Sequence, residues 1–514
     1  MAAAVALATA LPLIYLLVRT AGVGGEELWT LVSRPRTVAV LFNSAAMAIV
    51  VTLCSALIAV PLAFLTVRTD LPWRQFWLVV TTLPLAVPSY VGSFTLIATF
   101  GPRGSLLQLL LEPLGVQELP SIYGWPGTIL ALTLFTYPYL LLSVRSGWQG
   151  IDPALEEAAL SLGQNPRSTF FRVTLPQLRP SLVAGGLLVA LYSLRDFGTP
   201  SLMRFDAFTR AIFLQYKASF NRNSAAALAL VLVGLVLLIL WLENLARSRA
   251  AYYSRGSGRS RAPKVVKLGN WKWAALAFCA CVAGLSVVLP VGITIFWLIR
   301  GLTTNATLPN LLPTAIDSIW VSVLAAGVAT LFALPVAILS VRFPGRVTAT
   351  IERTSYIGFG LPGIVVALSL VFFGANYLPW LYQTLPMLIF AYLVLFLSQS
   401  VGNVRSSLLQ VNPQLEESAR ILGRNQWQTF KEITLPLVSR GVGAGAMLVF
   451  LTAIKELPAT LLLAPIGFET LAVQIWRATE DVSFAEAAAG SLTMLSISVG
   501  STLFLLFQER VRKF

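Results

Sequence analysis

Residues 157–176 read EAALSLGQNPRSTFFRVTLP, and residues 417–436 read ESARILGRNQWQTFKEITLP. The two stretches share the pattern E-x-A-x3-G-x9-[VI]-x-L-P and lie 260 residues apart. Two copies of such a long pattern in one chain indicate an internal repeat. The repeat therefore predicts that the chain consists of two related halves.

The composition places this repeat in a membrane. Of the 514 residues, 56% are apolar and only 11% are charged, whereas about a quarter of the residues in a typical soluble domain are charged. The run Ala225–Leu242 carries no charge across 18 residues, which is enough for a transmembrane helix. We therefore expect an all-α polytopic membrane protein.

Hydropathy predicts about twelve spans, at roughly 20 apolar residues per span. They are residues 3–19, 43–67, 77–100, 127–147, 181–200 and 225–243 in the first half, and 274–299, 316–341, 355–376, 385–403, 440–463 and 486–508 in the second. We expect residues 3–19 to be a retained span, because no Lys or Arg precedes them as in a signal peptide. Six spans per half require both halves to enter the membrane in the same sense, as parallel repeats.

The repeat extends beyond the quoted pattern. Pro61 aligns with Pro335 and Pro88 with Pro362, at an offset of 274 residues. The offset then falls to 260, because the first half has extra residues in the segment 101–127. These alignments predict a first module at 1–243, a linker at 244–273 and a second module at 274–514.

Basic residues set the predicted orientation. The linker contains eight Lys or Arg and no acid, and the chain has a net charge of +15. Excess Lys and Arg marks cytoplasmic loops of membrane proteins, so we expect no nucleic acid partner. One topology then places the linker, both copies of the pattern and both termini in the cytoplasm, with the linker against anionic lipid headgroups.

Several classes of function lack their motifs. There is no histidine, and Cys279 and Cys281 have the wrong spacing for a C-x2-C metal site. No G-x4-G-K-[ST] phosphate-binding loop occurs, and neither do H-E-x-x-H or G-x-S-x-G. We therefore predict no cofactor, no metal site and no catalytic residue, so that any ATP hydrolysis belongs to a separate subunit.

The repeated loops contain the signals of a short helix. Asp152-Pro153 and Asn412-Pro413 combine an N-cap residue with proline at the first helical position. Acids follow in the first turn, where the helix dipole favours them, and Gly163 or Gly423 can adopt the left-handed conformation that ends a helix. A short exposed helix with an apolar side fits a groove on a soluble partner. Ordinary interfacial helices would also be amphipathic, but they would not require glycine and Leu-Pro at fixed spacing in both copies.

A second repeated feature lies about 20 residues after each Leu-Pro. Arg195-Asp196 in the first half aligns with Lys455-Glu456 in the second, next to glycine or proline residues that predict a broken helix. Ionisable residues at membrane depth are costly and indicate function. Two arrangements remain open. Asp196 and Glu456 face each other across a translocation pathway, or each forms a local ion pair with the preceding cation.

Two segments outside the predicted spans follow these charges. Residues 201–224 and 464–485 carry charges of both signs. They are long enough to contact a substrate-binding protein outside the cytoplasm, and a solvated loop would have similar charges.

The repeated pattern resembles the EAA signature of ABC-importer permeases, through which a membrane subunit contacts its ATPase. Across nearly its whole length the chain is similar to the fused two-module permeases of ferric-iron importers. The stretches RDFGTPSLMRFDAFTRAIFLQY (195–216) and KELPATLLLAPIGFETLAV (455–473) are more similar to that branch than to the fused thiamine permeases. Ser418 replaces the first alanine of the signature in the second copy.

The resemblance implies an ABC type I importer permease fold in a bacterial inner membrane, with a cytoplasmic ATPase dimer, an extracytoplasmic binding protein and lipid as partners. A single chain supplies both permease halves. It implies that the residues contacting the ATPase are Glu156, Glu157, Ala159, Gly163, Leu175 and Pro176, with Glu416, Glu417, Ala419, Gly423, Leu435 and Pro436 in the second copy. Thiamine or another small solute is the alternative cargo. A secondary transporter is a further alternative, although no span shows an obvious coupling carboxylate.

Overall fold

The computed structural model describes residues 1–22, 25–151, 153–218, 222–250, 265–304 and 309–511, and these residues are mostly helical. The helices of the first half are α1 (Ala2–Ala21), α2 (Gly25–Ser33), α3 (Pro35–Arg68), α4 (Arg74–Thr82), α5 (Ser89–Phe100), α6 (Leu106–Leu111), α7 (Trp125–Gly150), α8 (Pro153–Ser161), α9 (Pro166–Thr169), α10 (Leu175–Arg195), α11 (Gly198–Leu202), α12 (Phe208–Ala218) and α13 (Arg222–Ala250). Those of the second half are α14 (Trp271–Ala283), α15 (Leu289–Thr303), α16 (Leu311–Arg342), α17 (Arg346–Ser355), α18 (Ile357–Gly360), α19 (Gly363–Tyr377), α20 (Leu385–Leu408), α21 (Pro413–Ile421), α22 (Gln426–Thr429), α23 (Leu435–Ala453), α24 (Pro458–Leu463), α25 (Leu471–Glu480) and α26 (Phe484–Val511). The described residues contain no strand beyond an isolated bridge between Thr69 and Val266, so the all-α prediction is confirmed.

The candidate membrane spans follow the predicted order. Within the described ranges, nine helices are long and apolar enough to cross a membrane, or eleven if each of two bent helix pairs forms one span. The predicted twelfth span, 486–508, falls in α26, whose side chains are described only as far as residue 501. The fifth and eleventh spans lie earlier than predicted, at Arg167–Arg195 and Gln426–Ala453. The fifth ends there because Asp196 leaves the helix with an extended backbone, at φ −67° and ψ 128°.

Two of the predicted spans, 77–100 and 355–376, are sharply bent. Arg74–Ala86 meets Ser89–Phe100 at 98°, and Arg346–Gly360 meets Gly363–Tyr377 at 104°. Proline disfavours the helical conformation of the residue before it. Val87 and Leu361, which precede Pro88 and Pro362, are accordingly extended, with ψ of 122° and 133°. The aligned prolines therefore bend the corresponding span in each half.

The chain forms two compact units, each built on three long helices. Unit 1 contains residues 1–31, 212–230 and 307–514, and unit 2 contains residues 32–211 and 231–306. In unit 2 the helices α3, α7 and α10 pack together, and in unit 1 their repeat equivalents α16, α20 and α23 do the same. The α1 helix packs on α17 and α19 within unit 1, while α14 and α15 pack on α4 and α5 within unit 2. The first hydrophobic segment of each sequence half thus packs with helices of the other half. The module boundaries at 243 and 274, which describe the repeat in the sequence, stay predictions.

The end of the predicted linker is held against Arg68 and Asp70, at the end of α3. Val266 donates its backbone N–H to the carbonyl of Arg68 at 2.7 Å. The Asp70 carboxylate accepts from the Leu268 N–H at 2.8 Å and pairs with Lys272 at 3.2 Å. The Leu268 N–H, followed by Lys272, lowers the pKa of Asp70 below its usual range. Residues 251–264 of the predicted linker lie outside the described part of the chain.

Glycines allow the long helices to approach closely. A side chain at Gly441 on α23 would lie 2.6 Å from the Cβ atom of Ser407 on α20, closer than carbon atoms can approach. At Gly445, one turn further along, an added Cβ atom would lie 3.0 Å from the Ser400 hydroxyl. Small residues four apart are typical of close helix pairs in membranes, where packing replaces the hydrophobic effect.

Replacing Gly441 by alanine should therefore destabilise unit 1. We expect Gly441→Ala to lower the free energy of unfolding by about 1–3 kcal/mol, because the added methyl group overpacks the α20–α23 contact. Gly443→Ala on the same helix is the matched control, since a side chain there meets no atom within 4 Å. Thermal unfolding of the purified protein in detergent checks this, and equal melting temperatures for the two variants would contradict it.

Candidate functional site

Both copies of the repeated pattern fold into the same short helix and glycine turn. In α21 the Asn412 side chain caps the helix by accepting from the Gln414 N–H at 3.0 Å. Asp152, the predicted cap of α8, lies outside the described residues. Gly163 and Gly423 both adopt φ of 84°, and the following residue donates its N–H to the carbonyl of Ala159 or Ala419. These hydrogen bonds form the glycine-terminated motif predicted for the helix ends.

Glu156 and Glu416 point inward and hold these helices to the rest of their units. In unit 1 the Glu416 carboxylate accepts from Arg342 at 2.9 Å and from the Thr434 hydroxyl at 3.0 Å. Glu156 in unit 2 accepts in the same way from Arg68, and from Thr174 at 2.8 Å. Arg68 and Arg342 are the last residues of α3 and α16. The first glutamate of each loop thus anchors it to a core helix, a geometry that the sequence prediction did not distinguish from that of the second glutamate.

Glu157 and Glu417, the next residues along, are exposed. Just after the ends of these helices, Leu162 and Leu422 leave 84% and 83% of their surface uncovered. Ala159 and Ala419 are buried against the body of their units, which explains the small residue there. Each loop therefore presents an acid and a large apolar side chain outward from an anchored helix. Sequence reasoning missed the two leucines, although both immediately precede the aligned glycine.

The Leu-Pro pairs lie within helices that run without a break from the loops into the next spans. Only the helix type changes there, from a π-helical turn to an α-helix. Leu175-Pro176 and Leu435-Pro436 begin α10 and α23, directly after π-helical turns at Phe170–Thr174 and Phe430–Thr434. Proline has no N–H and its ring crowds the preceding turn, and a wider turn accommodates it. Each loop is thus joined without a break to a span of 29 or 28 residues.

The predicted helix breaks at the other end of these spans are present in both units. In unit 2 the Asp196 carboxylate accepts from the Ser89 hydroxyl and from the Thr199 N–H, the latter at 2.8 Å. In unit 1 the Glu456 carboxylate accepts from the Ala459 N–H at 3.3 Å and adjoins Gly363. Arg195 and Lys455 also have partners in the structure. These contacts decide neither between the two arrangements nor whether the four charged residues line a pathway.

The segments 201–224 and 464–485, which follow the breaks, also contain the same kinds of elements. Each contains a short helix, α12 or α25, and an internal ion pair, Arg210–Asp206 at 2.5 Å or Arg477–Glu469 at 2.8 Å. The aligned serines Ser44 and Ser318 accept the N–H groups of Phe208 and Leu471 at 3.0 Å and 2.8 Å. Residues 219–221 lie outside the described ranges. The serines fix these segments to α3 and α16.

Within the described ranges, no three or more Cys, Asp or Glu side chains cluster closely enough to hold a metal ion. The Asp196 and Glu456 carboxylates accept hydrogen bonds from donors of their own units. Among the described residues, each unit contains one anchored loop, one helix break at an acid and one span bent at a proline.

A family model described as "Binding-protein-dependent transport system inner membrane component" matches residues 55–251 and again residues 329–513. The chain belongs to this family. It is the permease subunit of a binding-protein-dependent ABC importer, a multi-pass protein of the inner membrane that is not itself an enzyme. Subunits of this family work with a separate ATPase and a substrate-binding protein.

Individual relatives differ in how much of the chain they match. The chain is 35% identical over 500 residues to the "Fe(3+)-transport system permease protein FbpB 2" of Haemophilus influenzae, covering 96% of this chain and 95% of that protein. It is 27% identical over 245 residues to the sulfate permease CysT of Salmonella typhimurium, covering 46% of this chain and 87% of CysT. The molybdenum permease ModB of Escherichia coli matches 37% of the chain at 28% identity, over 85% of its own length. The sulfate and molybdenum proteins thus correspond to roughly one half of this permease.

Glu416 and Glu417 should differ sharply in their structural role. We expect Glu416→Gln to speed trypsin cleavage after Arg420 and Arg424 by about tenfold or more. The neutral side chain binds Arg342 more weakly, so α21 detaches from α16 more often and exposes its backbone to the protease. Glu417→Gln is the matched control and should leave the rate unchanged, since that side chain is exposed. Limited proteolysis of the purified protein measures both, and equal rates would contradict the anchoring role.

Proposed function

We propose that this permease carries ferric iron. The observation that supports this cargo is the similarity to the Fe(3+)-transport permease of Haemophilus influenzae, which extends over both halves and nearly the full length of both proteins. The sulfate and molybdenum permeases are similar only over single modules. A fused two-module chain is thus shared with the iron relative and not with the oxyanion relatives.

The chemistry of the described residues is compatible with iron as a passing substrate. Fe(III) is a hard cation that prefers oxygen ligands to sulfur. Asp196 and Glu456 are the carboxylates at the helix breaks, and a single carboxylate without further ligands would bind the ion weakly. Selectivity then comes from the substrate-binding protein, which contacts the segments 201–224 and 464–485. A permease that releases its cargo needs such a weak site.

We further propose that α8 and α21 are the contacts for an ATPase dimer. Both helices are short, anchored from behind by Glu156 or Glu416, and present Glu157 or Glu417 with an exposed leucine. An anchored helix with an exposed leucine can insert into an apolar groove on a partner. Two such helices at equivalent positions match two equivalent ATPase subunits. The alternative, helices lying on lipid headgroups, would not require the buried anchor.

This assignment fixes the proposed orientation. The ATPase contacts lie in the cytoplasm, together with the N- and C-termini and the basic linker, as the distribution of Lys and Arg indicates. The helix breaks at Asp196 and Glu456 then lie toward the outer side. ATP binding would draw the two coupling helices together and favour one packing of the bundle, and hydrolysis would favour the other, since a ligand shifts only states that it binds differently.

Cargo can be tested by uptake. In a strain that lacks this chain, we expect uptake of labelled ferric iron to fall to background and to return when the chain is supplied, while thiamine, sulfate and molybdate uptake stay unchanged. The physical reason is that the binding protein delivers a single cargo to the permease. Restoration of one of the other solutes without iron would contradict the assignment.

Coupling can be tested by charge reversal on the exposed side of the coupling helices. We expect Glu157→Lys with Glu417→Lys to reduce uptake by about tenfold or more, because like or unpaired charges at a docking surface weaken association. The protein should still reach the membrane, since both side chains are exposed. Glu112→Lys with Glu118→Lys, which reverses two exposed acids outside both loops, is the matched control. Full uptake in the Glu157/Glu417 variant would refute the docking assignment.

A further inference from the structure

The Asp196 and Glu456 carboxylates each contact the first residue of a helix that follows a proline bend, but the residues in contact differ between the two units. Ser89 aligns with Gly363, and Asp196 aligns with Glu456. In unit 2 the shorter acid meets a serine that donates its hydroxyl hydrogen to the carboxylate. In unit 1 the longer acid meets a glycine, and a side chain at that glycine would collide with the Glu456 carboxylate. The pair therefore changes together, with a long acid opposite a small residue and a short acid opposite a larger one.

Each carboxylate joins two broken spans. Asp196 follows α10 directly and accepts the Thr199 N–H of α11, while its other oxygen accepts from Ser89, the first residue of α5. Glu456 follows α23, accepts the Ala459 N–H of α24 and adjoins Gly363, the first residue of α19. Both acids thus lie at the N-terminus of a helix that begins after a proline bend, where the helix dipole favours negative charge.

The same acids lie just after the ends of the helices that leave the coupling loops: Asp196 follows Arg195 directly, and Glu456 lies three residues after Ala453. Arg167–Arg195 and Gln426–Ala453 each run without a break from a coupling loop to the residues before the acid. At a rise of 1.5 Å per residue, each helix is about 40 Å long. A displacement of the loop is therefore carried along a single helix to the carboxylate, and through the carboxylate to α5 or α19.

We propose that Asp196 and Glu456 are positioning residues that couple the long helix of each module to the bent span beside it. We call each of the two contacts, Asp196–Ser89 and Glu456–Gly363, a joint. The two joints are interchangeable, because a longer acid faces the residue without a side chain and a shorter acid faces the serine. The joint transmits movement of the coupling loop to the outer half of the bundle. Its transport readout relies on the iron assignment made above, whereas its structural readout does not.

A double-mutant cycle in unit 2 tests the joint. We expect Ser89→Gly to reduce iron uptake by roughly tenfold, because the carboxylate loses a hydrogen bond from a hydroxyl. We expect a similar loss for Asp196→Glu, because the extra methylene group pushes the carboxylate into the Ser89 side chain. The double variant Ser89→Gly/Asp196→Glu reproduces the pair of unit 1 and should recover to within about twofold of the original rate, the coupling expected of two residues in contact.

A second readout separates positioning from simple stability. In the importer complex reconstituted with its ATPase and binding protein, the single variants should hydrolyse more ATP per ion transported, and the double variant should regain the original ratio. Ser89→Ala keeps the Cβ atom and removes only the hydroxyl group, so it tests the loss of the hydrogen bond alone if the glycine variant does not reach the membrane. Glu118→Gln, an exposed acid paired with Arg103, is the control and should change neither quantity.

Two results would count against the joint. A double variant no better than the poorer single variant would overturn the proposal, and so would an unchanged ATP ratio in both single variants. The melting temperatures of the purified variants should follow the same pattern of loss and rescue whatever the cargo is. If that pattern holds while the original chain carries no iron, the contact between residues 89 and 196 stands and the iron assignment fails.

Discussion

A helix break inside a membrane exposes backbone N–H and C=O groups that hydrocarbon cannot hydrogen-bond, and this constraint governs the architecture of both units. At the ends of α10 and α23, side chains supply the missing partners. These are the carboxylates of Asp196 and Glu456, which accept backbone N–H groups three residues further along. Ser44 and Ser318 do the same for the helices that follow. The positions of polar side chains in an apolar chain thus determine where it can bend.

In each repeated loop, neighbouring residues have different environments. The short helix carries a glutamate bound to the last arginine of a core helix and an exposed glutamate next to it in sequence, and an exposed leucine follows the helix. A charged pair with little exposure requires good geometry to offset desolvation, and a threonine hydroxyl completes it in both units. The short helix is therefore fixed to a core helix by its buried glutamate and not only by the ends of the loop.

The repeat shows which features tolerate variation. The arginine–glutamate–threonine anchor keeps the same residues in both copies, whereas the proposed joint pairs Asp196 with Ser89 in one unit and Glu456 with Gly363 in the other. An ion pair between planar groups depends on specific atoms. The joint requires only an acid at a helix N-terminus and a filled space, so a longer acid can compensate for a smaller neighbour. Comparing two copies in one chain therefore separates chemical requirements from steric ones.

Much of the site was predictable from local signals. Hydropathy located eleven spans, the glycine pattern predicted the left-handed helix stops, and Gly198, Pro200 and Pro458 predicted the outer breaks. Each of these depends on the conformational preference of one residue or on the apolar content of one segment. The sequence also identified the family through a pattern that both halves carry.

Only the tertiary structure distinguished residues that look alike in sequence. Glu156 and Glu157 are adjacent acids in the same turn, and it is the position of Arg68 that buries the first and leaves the second exposed. The pairing of Asp196 with Ser89 and the grouping of α1 with helices of the second half join residues far apart in the chain. The sequence by itself determined the helices, their ends and the doubled architecture, because these follow from local backbone preferences and hydropathy. The tertiary structure alone decided which side chains meet, because contacts between distant segments depend on how the helices pack.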